Sequence, residues 1–182
     1  MPKYFPELSE ALVKKAEQIK LIITDVDGVL TDGGIIYDDN GLEYKRFNVK
    51  DGFIIGHLKK SGILVGALTA RNSKVVEYRC EELNFDFHYH GVKDKLKKLD
   101  EILDVLEIDA SEVAYIGDDL IDIPLMKKVG FSASPSDAIP YVSNQVDFVS
   151  RYSGGQGAFR EISDLILDSK GLLTSIIEKY VQ

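Results

Sequence analysis

The chain has 182 residues, 45% of them hydrophobic, with 30 acidic against 22 basic side chains and a net charge of −8. That is about the size of one domain with enough apolar material for a core, and the acidic balance argues against nucleic acid or an anionic membrane as partner, because both reward a basic surface. The single cysteine, Cys80, excludes an intrachain disulfide and a cysteine-based metal cluster; with no apolar run near the roughly 20 residues of a membrane span and no signal-peptide core among the mixed charges near the N-terminus, the cytoplasm is the expected location.

Residues 9–18 read as a helix within a leading segment over 1–18, and residues 20–24 as a buried strand. That strand runs directly into Asp25-Val26-Asp27-Gly28-Val29. Two carboxylates then stand at the carboxyl end of a parallel strand, where ligand chemistry collects in open α/β sheets. Gly28 allows backbone amides to approach an anion closely. The same residues also make ordinary turns, so the motif gains meaning only in combination with the later strand ends.

A hairpin flap over 33–48 comes next, with Ile35-Ile36-Tyr37 and residues 42–47 flanking the turn Asp38-Asp39-Asn40-Gly41. A helix over 51–61 stops at Gly62, and the apolar strand over 63–69 ends in the hydroxyl of Thr69. The next helix, from about Ser73, carries Val76, Cys80 and Leu83 on one stripe, which places Cys80 in the core. After a short strand over 85–90, Lys95 opens an amphipathic helix lined by Leu96, Leu99, Leu103 and Leu106. The strand over 113–117 ends in Asp118 and Asp119.

A short helix with Pro124 in its first turn ends at Gly130, and weaker strand signals cover 131–133 and 147–149. Gly154 to Gly157 lie in a C-terminal tail over 151–182, before the last helices. Strands alternating with helices predict an α/β fold, a doubly wound parallel sheet with right-handed crossovers, in one domain over 1–182. The interval between Asp25 and Thr69 holds only the hairpin and one helix, which leaves no room for a separate cap domain. His57, His88 and His90 have no acid or thiol at zinc-ligand spacing.

The strand-end residues answer the needs of one reaction. A carboxylate can attack phosphorus only when the charge on the phosphate is neutralised, which calls for a hard cation with oxygen ligands and a nearby ammonium. Asp25 and Asp118 supply the ligands and Lys95 the ammonium. Thr69 offers a donor to a phosphoryl oxygen, while Asp27 protonates the leaving alkoxide and then activates water. Asp122, four residues after Asp118, is placed to orient the metal water or Lys95. Among the basic residues Lys45, Arg46, Lys50, Arg71, Arg79 and Lys95, those beside the motifs matter most.

The ordered set Asp25-Val26-Asp27-Gly28, Thr69, Lys95 and Gly117-Asp118-Asp119-Leu120-Ile121-Asp122 resembles the four motifs of the haloacid dehalogenase superfamily of phosphatases. With Thr31-Asp32-Gly33, Phe47-Asn48-Val49-Lys50-Asp51-Gly52 and Gly154-Gly155-Gln156-Gly157-Ala158-Phe159-Arg160-Glu161, the chain is similar to the 3-deoxy-D-manno-octulosonate 8-phosphate phosphatase family. The resemblance implies a Rossmann-like fold without a cap, Mg2+ as cofactor held by Asp25, Asp27 and Asp118, and catalysis by Asp25, Asp27, Thr69 and Lys95. It further implies a sugar acid phosphate as substrate, contacted by Asp27, Asn48, Val49, Lys50, Asp51, Gly52, Arg71, Arg79 and Lys95, in lipopolysaccharide sugar synthesis.

A homotetramer is implied as well, with hairpins packed together and the segment around Gly154 to Arg160 reaching a neighbour's pocket. The sequence departs from the family at Ala70, where Gly is usual, and at Gly56, where some relatives carry Arg. Two alternatives are a phosphatase for a nine-carbon keto-acid 9-phosphate, against which Arg71 speaks because such relatives carry Glu there, and a non-catalytic oligomerisation module related to sugar nucleotidyltransferases.

Overall fold

Four consecutive buried residues, Leu21–Thr24, form the central strand β1 of a computed structural model that describes residues 3–181. β1 is flanked on both sides by parallel strands, β4 (Leu64–Leu68) and β6 (Val113–Ile116), in registers that pair Thr24 with Ala67 and with Ile116. The sheet has six strands in the order β5-β4-β1-β6-β7-β8, with β5 at Phe87–Tyr89, β7 at Phe131–Ser134 and β8 at Phe148–Val149. Every pairing in it is parallel, so the carboxyl ends of β1, β4 and β6 open on one edge. This is the expected doubly wound α/β architecture.

The strands are buried on both faces, and their side chains alternate between the two and build a core on each. Ile22, Val65, Ala67, Ala114 and Ile116 pack with residues of α1 (Glu10–Gln18), α2 (Val49–Lys60), α3 (Lys74–Glu82) and α7 (Ala158–Ser169). Leu21, Ile23, Leu68, Val113 and Tyr115 pack on the other face with α4 (Lys95–Leu106) and α5 (Ile123–Met126). Cys80 lies in the first core, and burial pushes its thiol up to about 12. Among the described residues, no helix is long and apolar enough to cross a membrane.

Local chemistry sets the element ends. Ser9, Ser73 and Asp94 cap α1, α3 and α4 by accepting amide hydrogen bonds from the first turn. α2 starts before the expected position 51, because the Asn48 side chain accepts from the Lys50 amide at 2.9 Å and nucleates the helix there. The one-turn helix α6 (Pro140–Ser143) lacks the apolar periodicity that sequence patterns detect, but Pro140 presets its first position. In the hairpin, β2 (Ile36–Tyr37) and β3 (Glu43–Tyr44) are closed by Asp38, whose carboxylate accepts from the amides of Asn40 and Leu42 at 2.9 and 2.7 Å.

The segment expected to reach a neighbour is anchored on its own chain. The Gly155 amide donates to Val29 O at 2.9 Å, and a Cβ on Gly154 would overlap the Gly28 carbonyl. Asn48 Nδ2 donates to Gly155 O at 3.3 Å, and Asp51 accepts from the Arg160 amide at 2.8 Å. Residues 154–160 therefore wall the loop after β1 rather than extending outward. The physical reason is helix α7, whose Phe159, Ile162, Leu165 and Ile166 are fully buried in the core and fix the start of the tail.

Candidate active site

The loop after β1 begins with Asp25, whose amide donates to Ile116 O at 2.8 Å and so prolongs the sheet by one residue. That tether points a buried carboxylate at the open edge. One Asp25 oxygen accepts from the Val26 amide at 2.7 Å, and the other lies 2.9 Å from Lys95 Nζ. Lys95 stands at the start of α4, almost fully buried, and also reaches Asp122 at 2.8 Å and the Tyr115 hydroxyl at 3.3 Å. Burial works against its ammonium, but Asp25 and Asp122 overcome that cost and raise its pKa above the ordinary lysine value.

Asp122 is fully occupied. Its first oxygen accepts from Lys95 and, at 2.6 Å, from Tyr115 O–H; its second accepts from the amides of Asp118 and Asp119 at 3.1 and 3.3 Å. It holds Lys95 on one side and shapes the loop after β6 on the other. Asp118 differs, since its Oδ1 is buried with no hydrogen-bond partner. Carboxylate oxygens of Asp25, Asp118 and Asp122 all lie within 4.8 Å of one another.

Burial, reinforced by the charges of Asp25 and Asp122, pushes Asp118 up to about 8. Asp25 is raised to about 6, burial outweighing the attraction of Lys95. Two carboxylates that resist ionisation side by side, one with an orphaned oxygen, fit a hard divalent cation between them. Gly28, at φ +87°, keeps the neighbouring space clear, because a Cβ there would collide with the Asp118 carboxylate.

Asp27 is not part of that acidic group. Its carboxylate pairs with Lys45, whose side chain is completely buried, and lies 3.6 Å from Arg71 Nε. Asp27, expected from the sequence among the metal ligands, has its carboxylate held by two cations, one from the hairpin and one from the loop after β4. Thr69, buried at the end of β4, accepts from the Arg71 amide at 3.2 Å. Arg71 Nη2 donates to Tyr37 OH at 3.0 Å and to Glu43 at 2.9 Å.

The other candidate substrate residues make their contacts within the chain away from the acidic group. Asn48 and Asp51 hold the Gly155 and Arg160 backbone. Val49 is exposed, and Lys50 faces a cavity of about 440 Å³ shared with Arg151, Tyr152, Gln156 and Arg160. Gly52 makes room for Arg79 and Leu83, and Arg79 pairs with Glu82 at 2.8 Å beneath the Phe47 ring. No hydrogen bond or ion pair among the described residues joins these to Asp25, Asp27 or Asp118. Sequence reading missed Tyr115, Glu43 and Ser73. The Glu43-Tyr44-Lys45 alternation, which sends both charged side chains to one side of the hairpin, was the available signal for the pair.

A family model described as haloacid dehalogenase-like hydrolase matches residues 89–162. The chain is 46% identical over 166 residues to the 3-deoxy-D-manno-octulosonate 8-phosphate phosphatase of Escherichia coli K12, covering 91% of this chain and 88% of the relative. Its fold matches the Moraxella catarrhalis phosphatase of that name, solved with magnesium ion, phosphate ion and KDO, at a TM-score of 0.92 and 37% identity over 95% of this chain and 99% of that one. The cobalt-bound deoxy-D-mannose-octulosonate 8-phosphate phosphatase of Haemophilus influenzae matches at 0.87 and 39% identity, over 92% and 99% of the two chains.

Proposed function

Because the chain belongs to the 3-deoxy-D-manno-octulosonate 8-phosphate phosphatase family of haloacid dehalogenase-like hydrolases, we propose that it hydrolyses that eight-carbon sugar acid phosphate through an aspartyl phosphate on Asp25. It is a phosphoric monoester hydrolase that uses Mg2+ and supplies the free sugar acid for lipopolysaccharide synthesis. One observation carries the mechanism: Asp25 is held 2.9 Å from a buried ammonium and within reach of the Asp118 carboxylate, whose Oδ1 has no hydrogen-bond partner.

Asp25 attacks phosphorus, and the bond from phosphorus to the sugar oxygen breaks. Asp27 takes up a proton from solvent before the attack, gives it to the departing alkoxide, and then takes one from the water that attacks the aspartyl phosphate; Asp25 is thereby regenerated and phosphate released. Lys95 and the Thr69 hydroxyl hold phosphoryl oxygens in place. Asp25 and Asp118 would hold magnesium, which when bound would supply positive charge to offset the carboxylates and the phosphate. Asp122 keeps Lys95 charged and aimed, and Tyr115 completes its shell.

A phosphate-release comparison across sugar acid phosphates tests the substrate. We expect kcat/KM for the eight-carbon substrate to exceed that for the nine-carbon keto-acid 9-phosphate by about tenfold or more, equivalent to about 1.4 kcal/mol of transition-state binding. A preference for the nine-carbon compound would transfer the assignment, and no release from any phosphate ester would favour the oligomerisation module.

The proposed assembly is a homotetramer in the cytoplasm, joined partly through the hairpin. Supporting it, Ile35, Ile36 and Leu42 are 46%, 59% and 56% exposed on that hairpin, an apolar group of the kind that marks an interface. Sedimentation at micromolar concentration should give a tetramer, and Ile36→Glu should reduce it to smaller species. A wild-type monomer would defeat this part of the proposal.

A further inference from the structure

Phe47 packs the base of the hairpin on the core, and polar contacts from Tyr37, Glu43, Lys45 and Arg46 tie its strands to the body of the protein, with Glu43 making two of them. One of its oxygens accepts from Arg71 Nη2 at 2.9 Å with Lys45 Nζ 3.5 Å away; the other accepts from Ser73 Oγ at the start of α3. The Glu43 side chain is only 13% exposed, although its neighbours on β2 are open to solvent. Arg71 Nε lies buried beside Asp27 with no hydrogen-bond partner. Two acids thus neutralise two cations at the mouth of a site that, for a sugar acid phosphate, must receive a phosphate and a carboxylate.

A guanidinium can grip a carboxylate through two parallel hydrogen bonds along either of two edges, the Nε–Nη2 side or the Nη1–Nη2 end. Both edges include Nη2. Its two N–H groups are given to Glu43 and to the Tyr37 hydroxyl, so a second carboxylate gains the two-pronged grip only by displacing one of them, and Glu43 is the one that already offers a carboxylate. The geometry points to Glu43 as an internal stand-in for the carboxylate of the substrate. It keeps the Arg71 fork aimed and neutral while the site is empty, gives way to the sugar acid, and returns as the product leaves. This inference rests on the assignment of a sugar acid phosphate as substrate.

Such a competitor weakens every ligand that needs Arg71, product as well as substrate, and leaves other phosphate esters nearly untouched. A purely structural Glu43 would behave in the opposite way. Its loss would let Arg71 wander, raising KM for the sugar acid phosphate or lowering kcat for all substrates.

Steady-state kinetics of wild type, Glu43→Gln and Glu43→Ala separate these, with 3-deoxy-D-manno-octulosonate 8-phosphate and p-nitrophenyl phosphate as substrates and the free sugar acid as inhibitor. For Glu43→Gln, which keeps the shape, we expect KM for the sugar acid phosphate and Ki for the sugar acid to fall together by about two- to fivefold, the range of a partly exposed ion pair. The KM for p-nitrophenyl phosphate should move less. Glu43→Ala should shift them in the same direction. Unchanged or raised KM and Ki, or equal shifts for both substrates, in a wild type that turns over the sugar acid phosphate well, would overturn this inference alone. A wild type that does not act on that substrate would overturn the substrate assignment and this inference with it.

Discussion

Asp25→Asn abolishes phosphate release while leaving the protein folded. The amide has nearly the shape of the carboxylate and keeps an oxygen for the Val26 amide, but it offers no anionic oxygen to phosphorus. Removing a key catalytic group commonly costs about 10²-fold or more, so residual kcat above about one per cent of wild type would remove Asp25 from the nucleophile's position. Stability should move the other way. The Asp25 carboxyl is raised to about 6 from an ordinary 3.8, so the folded state holds its proton more tightly than the unfolded chain does. The stability this confers is complete below about 4 and is lost as pH rises through about 6. Metal-free Asp25→Asn should therefore melt no lower than metal-free wild type at pH 7.5, Lys95 remaining paired with Asp122, and that advantage should shrink in mild acid.

The second large effect is cation dependence. Chelation should silence the enzyme and Mg2+ should restore it, while Asp118→Ala should abolish activity at ordinary Mg2+ or raise the requirement sharply. Without a cation, Asp118 is pushed up to about 8 by burial and by the neighbouring acids, so binding must displace a proton and should weaken as pH falls below that value. The thermal shift that Mg2+ produces should accordingly be greater at pH 8 than at pH 6, and a ligand at about 100 times its Kd contributes about 2.7 kcal/mol. An EDTA-treated sample working at full rate would contradict the mechanism, as would an Asp118→Ala variant with a normal Mg2+ requirement.

The chemistry at the strand ends was legible because each participant follows its own strand directly. Asp25, Thr69 and Asp118 stand one or two residues past β1, β4 and β6, and parallel pairing puts those three ends side by side. Asp122 could be anticipated as the partner of Lys95 from its spacing alone. The mouth of the site was less legible. The Glu43-Tyr44-Lys45 alternation puts two charges on one side of the hairpin, but it does not distinguish a Glu43 facing solvent from one held between Arg71 and Ser73. The difference arises from how a two-residue strand pair folds over a loop many positions later. Asn48 and Asp51, which motif resemblance assigned to a substrate, also hold the backbone around the glycine-rich turn, a task that the motif does not announce. Asp51 carries a pKa raised to about 6 by burial, opposed mainly by the Arg160 amide.

That turn sets an order of events during synthesis. All six strands and every acid of the site precede residue 150, so a ribosome has delivered the whole catalytic set before Gly154 is made. Yet the loop carrying Asp25 and Asp27 rests on Gly154 and Gly155, and those glycines take their position from α7, which ends at Ser169. A nascent chain stopped between the last strand and α7 would hold every reactive group without the wall that registers them. Competence arrives late, with a helix that contributes no chemistry of its own.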